Sequence, residues 1–231
     1  MIWQVPNIWE GGDVFILGGG PSVIKQFDIP DKLYQGVLKK TLSPNVFSPY
    51  LSSLHNKHVI GINVAYHIGT WIDWIFFGDN SFFLEHRTNL QKFPGLKICS
   101  HDVVSRCNWV KYVPRNKRRL GISKDPTTVC WNNNSGTAAI SIAANAGAKR
   151  IILLGFDMKI ENNKQHWHNQ YNLIERQAKK PTIPPFHSHL QGFPQIAIDA
   201  KDRGIEIINC SPDSAITQFP KCNVKDILCK I

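Results

Sequence analysis

The sequence predicts an α/β protein with a mostly parallel sheet flanked by helices, and three observations carry that expectation. A run of small residues, Thr137 to Ala146, leads through Gly147 into Ile151 to Leu154, a short and wholly apolar strand. A helix feeding a strand that is apolar on both faces is the pattern of a buried parallel sheet. Asp13 to Leu17 reads as another strand, and Gly18, Gly19, Gly20, Pro21 and Ser22 turn out of it into a helix, the strand, glycine turn and helix order of a Rossmann-like fold. Polar residues also recur directly after apolar strands: Gly18 to Ser22, Asn63, Asp79 with Asn80, and Asp157. In a parallel sheet the C-terminal strand ends share one edge, so these positions converge.

At 231 residues the chain is long enough to bury a substantial core, and a single domain spanning 1–231 is expected. Its hydrophobic fraction of 42% is ordinary for a globular protein. No apolar run approaches the roughly twenty residues a membrane helix needs, so no membrane span is expected. The N-terminal stretch MIWQVPNIWEGGD has neither a basic leader nor a small-residue cleavage pattern. Cys99, Cys107, Cys130, Cys210, Cys222 and Cys229 are scattered without a CxxC spacing. Both features point to a cytoplasmic protein with reduced thiols. The net charge of +10 favours polyanionic partners, whether nucleic acid, anionic lipid or a phosphorylated substrate, and charge alone does not choose among them.

Along the chain, the triple glycine removes side chains where a phosphate or ribose can touch backbone. The match to GxGxxG is partial, because Val23 stands at the third glycine; the plainer alternative is a turn that needs positive φ angles. Gln35 to Leu54, with Pro44 and Pro49, reads as an irregular connection. His58 to Ile62 and Trp71 to Phe77 are the next strands, and Leu96 to Ser100 a further one. From Lys111 to Lys124 six basic residues occur with no acidic one, near Trp109 and Tyr112. Two readings stay open: a solvated loop, or a surface where Arg115, Lys117, Arg118 and Arg119 meet nucleic-acid phosphates while a ring stacks on an extruded base.

Asn132 to Gly136 supplies amides, a hydroxyl and a glycine at a helix start with open backbone N–H groups, a natural seat for a phosphate or nucleoside. Ala138, Ala139, Ala143, Ala144 and Ala146 let that helix lie close on the sheet. Ile160 to Pro185 carries the HWH of His166 to His168, then Lys179, Lys180 and several prolines, the composition of a mobile lid over the site, spanning 160–185. His166 and His168 share a face if they lie on a strand, but no third metal ligand is near, so they read as surface or substrate-contacting histidines. Phe186, His187, Ser188 and His189 lead into a helix through Arg203; Ile205 to Asn209 is a last core strand, and Ser211, Pro212 and Asp213 turn the chain.

Taken together, the GGGPS turn, Asn63 after the second strand, Ser135 and Gly136 before the alanine-rich helix, the LLGFDM strand end and HSHLQGFPQIAIDAKDRGIEIINCSPDS resemble bacterial sialyltransferases that modify lipooligosaccharide. They also resemble a wider Rossmann-type set, many of them phage-encoded, that includes archaeal hydroxymethylpterin diphosphokinases. The resemblance covers most of the chain in order. It implies a variant of the GT-A glycosyltransferase fold and a nucleotide-sugar co-substrate, with no tightly bound cofactor. Donor contacts fall on Gly18, Gly19, Gly20, Ser22, Asn63, Ser135 and Gly136, and the histidine of the HS pair, a general base, falls on His187. Asp79 and Asp157 join this set as strand-end residues. The family's GNGPS is GGGPS here, which removes an asparagine that contacts the sugar nucleotide. Tyr171 alone represents the family's tyrosines between 160 and 185, so His166, His168, Lys179 or Lys180 are left to meet the leaving phosphate. No DxD motif is present, in line with metal-independent members, and no metal site is expected.

These readings converge on a glycosyltransferase acting on a hydroxyl, with nucleotide sugar and DNA as partners. Hydroxylated bases in phage DNA would be the acceptor, in the host cytoplasm if the chain is phage-encoded. The alternatives are an ATP-dependent diphosphokinase with magnesium on Asp79 and Asp157, a sialyltransferase acting on a glycan, and a binding module without catalysis.

Overall fold

A computed structural model describes residues 1–161, 164–168 and 185–229. The chain runs through β1 (Asp13–Leu17), α1 (Ser22–Gln26), α2 (Asp31–Leu38), a 3-10 helix (Pro44–Leu54), β2 (His58–Ile62), β3 (Trp74–Phe77), α3 (Asn80–Lys92), β4 (Leu96–Cys99), β5 (Lys111–Tyr112), β6 (Arg115–Asn116), β7 (Val129–Cys130) and α4 (Ser135–Asn145). It continues through β8 (Arg150–Leu154), α5 (Phe186–Leu190), α6 (Phe193–Asp202), β9 (Glu206–Asn209) and α7 (Val224–Leu228). Seven strands form one parallel sheet in the order β5-β4-β3-β2-β1-β8-β9, and β6 and β7 pair separately.

The strands are apolar on both faces because both faces are covered. In β1, Phe15 and Leu17 enter the core shared with α1, the 3-10 helix and α3; Val14 and Ile16 enter the core shared with α4 and α6. Each such side chain, fully withdrawn from water, contributes about 1.5–3 kcal/mol. Register at the centre is held by Asp13 opposite Arg150, whose Nε donates to the carboxylate at 2.8 Å. Strand order proceeds outward from β1 to β5 on one side and through β8 to β9 on the other. The order therefore reverses between β1 and β8, which opens a crevice at their C-terminal ends.

The asparagine run before α4 has a distinct local task at each position. Asn132 and Asn133 take left-handed φ values of 49° and 55°, which asparagine tolerates better than most residues. Asn134 is the N-cap, its side chain accepting from the Gly136 N–H at 2.7 Å.

Four expectations change. The segment from Gln35 to Leu54 is mostly helical, because Val37, Phe47, Leu51 and Leu54 are fully buried and burial overrides its turn-forming composition. Strand β3 begins at Trp74 instead of Trp71: the Trp71 indole donates to Ser48 at 2.9 Å and Asp73 accepts from the Val59 N–H at 2.8 Å, which turns the chain before the strand. The basic run is no single loop, since it carries β5 and β6. The helix expected from Phe186 to Arg203 is two helices, parted at Gln191 and Gly192, where a Cβ on Gly192 would lie 2.6 Å from Asn132. No helix among the described residues is long and apolar enough to cross a membrane.

Candidate functional site

The strand-end residues gather along one edge of the sheet, as the parallel topology requires, but they divide into an inward and an outward set. At the crevice between β1 and β8 the polar groups satisfy each other. The Asp157 carboxylate accepts from the Ser22 N–H at 2.9 Å and from the Ser22 hydroxyl, which also meets the Ser211 hydroxyl at 2.8 Å. Ser211 in turn accepts from the Phe156 N–H at 3.2 Å. Ser22, Asp157 and Ser211 are buried. Ser22 and Asp157, expected to face a donor, thus spend their polar atoms on the fold, because a buried carboxylate needs such partners.

The glycines of the turn are likewise occupied by protein. A Cβ on Gly20 would lie 2.6 Å from both the Asp157 carboxylate and the Gly155 carbonyl, and one on Gly18 would lie 2.9 Å from that carbonyl. On Gly136 it would meet the Phe156 ring at 2.7 Å. Gly19 differs: it is partly exposed, and the His166 imidazole fills the space a side chain would take, so that a Cβ there would lie 2.8 Å from the ring Nδ1.

Residues 164–168 pack on this turn instead of extending into solvent. Trp167 is fully buried, its indole donates to the Gly18 carbonyl at 2.9 Å, and its backbone N–H donates to the Gly19 carbonyl at 2.8 Å. His166 and His168 stack with ring centroids 5.0 Å apart. Burial lowers the pKa of His166 to about 4 and holds that of His168 well below the usual imidazole value. His168 is therefore a core residue, not a surface one. Below them His86, also lowered to about 4 by burial, meets the Tyr66 hydroxyl at 2.8 Å. The rest of the expected lid, with Tyr171, Lys179 and Lys180, lies outside the described residues.

The outward set lies beyond β3. Asp79 is exposed at the N-cap of α3, Asn63 (φ 52°) and Ser135 are partly exposed, and Gly78 touches Trp131 so closely that a Cβ there would lie 2.2 Å from the indole and 3.2 Å from the Ser135 hydroxyl. The Arg115 guanidinium lies over Trp131, 4.3 Å from the ring centroid. Lys117, Arg118 and Arg119 are exposed, and the Asn116 side chain accepts from the N–H groups of Arg118 and Arg119 at 2.9 and 3.2 Å, which shapes the turn that presents them. On the short α5, His187 is exposed while His189 is half-buried. Burial lowers the His189 pKa, and the Asp79 carboxylate opposes that shift; His189 in turn acts electrostatically on His166. The structure thus forms two close groups along this edge, Gly19 with His166 and Gly78 with Trp131 and Ser135, with His189 within electrostatic reach of Asp79 and His166 and the basic segment reaching the second group through Arg115 on Trp131.

Trp131, Trp167, His189 and Ser211 are the residues that sequence reasoning did not single out for this edge. For Trp131 the signal was present: a tryptophan directly before an asparagine-rich helix start. Among the described residues no group of three or more His, Cys, Asp or Glu side chains is placed to hold a metal ion. The six cysteines are free, with the Cys210 and Cys222 sulfurs 3.5 Å apart. A cavity of about 420 Å3 opens at the opposite edge of the sheet, between Lys124, Lys149 and Arg203. Arg203 there is spent on the Ser123 and Ala144 carbonyls at 3.2 and 3.0 Å.

The topology defines an α/β fold with a mostly parallel seven-stranded sheet flanked by helices. Solved structures with a similar fold include sialyltransferases. The monofunctional α-2,3-sialyltransferase Cst-I from Campylobacter jejuni superposes with a TM-score of 0.58 at 16% identity, over 92% of this chain and 81% of that one. The sialyltransferase CstII from the same organism, in complex with the substrate analogue CMP-3FNeuAc, gives 0.51 at 14% identity over 91% and 86%. Its complex with cytidine-5'-monophosphate gives 0.52 at 15% over 91% and 84%. No protein-family model matches the chain, and no curated protein sequence does.

Proposed function

We propose that the chain is a glycosyltransferase that moves a sugar from a nucleotide-sugar donor to a hydroxyl group. The observation that carries this reading is the sheet edge beyond β3, taken here as the opening of the site, where half-buried His189 lies within electrostatic reach of exposed Asp79 near the N-terminus of α4, on a fold shared with enzymes solved with CMP and CMP-3FNeuAc. An imidazole whose pKa is lowered is unprotonated at neutral pH and suited to take a proton from the acceptor hydroxyl. The hydroxyl oxygen then bonds to the anomeric carbon, the bond from that carbon to the donor phosphate breaks, and the nucleotide leaves with the electron pair. The resemblance in sequence puts the base at His187. Burial favours His189, because His187 is exposed whereas His189 is half-buried and within electrostatic reach of Asp79 and His166.

The donor lies along Gly19, Asn63, Ser135 and the first turn of α4, whose N-terminal N–H groups and dipole favour a phosphate. Gly18, Gly20, Ser22, Gly136 and Asp157 hold that edge in shape from behind. His166, neutral and placed against Gly19, shapes the wall of that edge. The diphosphokinase alternative is weaker on one specific point: Asp157, one of its two metal-holding carboxylates, is occupied by Ser22.

For the acceptor we propose DNA carrying hydroxylated bases. The net charge of +10 and the outward Lys117, Arg118 and Arg119 at the border of the opening support a polyanion. A glycan acceptor, as in a sialyltransferase, is the second reading, favoured by the shared fold. The deciding experiment incubates the protein with a panel of nucleotide sugars without added metal, follows donor hydrolysis, and then compares transfer to hydroxymethylated DNA and to a lactose-type glycan. Donor turnover with transfer to DNA supports the full reading. Transfer to the glycan alone replaces the acceptor, and absence of donor turnover sinks the enzyme class.

A further inference from the structure

Arg115 differs from the other cations of its segment in a way that gives it a separate task. Lys117, Arg118 and Arg119 are exposed, whereas Arg115 is half-buried, its Cζ 4.3 Å from the centroid of the Trp131 ring, which itself abuts Gly78 and Ser135. Strand β6 fixes its backbone, with Arg115 in register with Val129 of β7. Among the described residues no carboxylate pairs with its guanidinium, and no protein acceptor receives a hydrogen bond from it. A guanidinium drawn partly out of water with its N–H edges open is costly to leave unmatched, and its planar fork suits the oxygens of a phosphate or carboxylate. The indole holds the guanidinium by a cation–π contact, which uses none of its N–H donors.

Resting on the glycosyltransferase reading with a DNA acceptor, we propose that Arg115, positioned by Trp131, binds the phosphate adjacent to the acceptor hydroxyl and so aligns that hydroxyl at the opening. The exposed cations then attract the polyanion along its length, while Arg115 recognises one phosphate of the reacting unit. This makes Arg115 a specificity-determining residue: an acceptor lacking the phosphate loses the contact, and a donor does not need it.

The test uses a hydroxymethylated nucleoside and the same nucleoside carrying 3′ and 5′ phosphates, each with a donor that the wild-type protein turns over. The expected result is a kcat/KM preference for the phosphorylated acceptor in the wild type that collapses by roughly 10–100-fold in Arg115→Gln, the range for losing a charge-assisted, forked hydrogen bond. Arg115→Lys recovers part of it through charge without the fork. Trp131→Leu, which removes the platform but keeps the charge, lowers the preference while Trp131→Phe largely retains it, and circular dichroism establishes that each variant is folded. An equal preference in wild type and Arg115→Gln overturns the proposal. So does a fall in donor affinity matching the loss of transfer, which would make Arg115 a donor contact. If wild-type protein turns over donor yet transfers only to a glycan, the acceptor reading fails and this proposal with it. If transfer to the nucleotide proceeds and only the Arg115 comparison is flat, this proposal fails alone.

Discussion

Two places on one sheet edge carry similar residues and use them differently. After β1, the polar groups of Ser22 and Asp157 turn toward each other and toward Ser211, and the glycines between them are packed against carbonyls and a carboxylate. After β3, Asp79 stays exposed, Trp131 fills the space left by Gly78, and His189 approaches from α5. The first place is where strand order reverses, so two strands and their turns crowd together; the second lies further along the sheet, near the starts of α3 and α4.

The largest effect that tests this contrast is at Gly20. If the turn is packed as described, Gly20→Val meets atoms that have no room to yield and costs over about 4 kcal/mol of stability, in the exceptional range for one substitution. Urea denaturation reads this directly. A variant of native stability that has merely lost donor affinity would restore the turn to the ligand side.

On the outward side, His189→Ala is expected to cut turnover by roughly a hundredfold to ten-thousandfold, the usual contribution of a general base. His187→Ala should have a much smaller effect. Steady-state kinetics with the preferred donor decides, and the reverse ranking would return the base to His187.

Burial of His86, His166 and His168 makes a prediction about pH. Their folded pKa values lie below the unfolded value, two of them at about 4, so the unfolded chain binds more protons as pH falls below about 6.5. The stability they support is fully present above that value and is lost progressively toward pH 4. Each histidine contributes a slope of about 1.4 kcal/mol per pH unit within that window. Denaturation at pH 7, 6 and 5 should show the decline, and His86→Gln should make it shallower. Stability flat from pH 7 to 5 would mean that this cluster is hydrated.

The smallest effect concerns the border of the opening. Reversing the charge of Arg118 and Arg119 together should flatten the log–log salt dependence of duplex DNA binding by about two units, each contact contributing about 0.9. An unchanged slope would place any DNA contact elsewhere on the surface.

Much of the architecture was legible in the chain. Asp13 to Leu17, His58 to Ile62 and the strand ending at Leu154 announce themselves because a strand buried on both faces must be apolar throughout, and that demand is local. The start of α4 was legible for the same reason: capping and left-handed φ are met by residues within one turn, here Asn132, Asn133 and Asn134. Convergence of the strand ends followed from parallel topology alone. Which way each polar side chain turned did not, because that depends on partners far along the chain: Asp157 on Ser22, 135 positions away, and Trp167 on the Gly18 carbonyl, 149 away. The pattern HSH offered two histidines of equal standing, and the placement of α5 against the sheet edge gave them different surroundings. Composition determined which chemistry the edge contains; packing across the sheet decided which of those groups remained free to face a ligand.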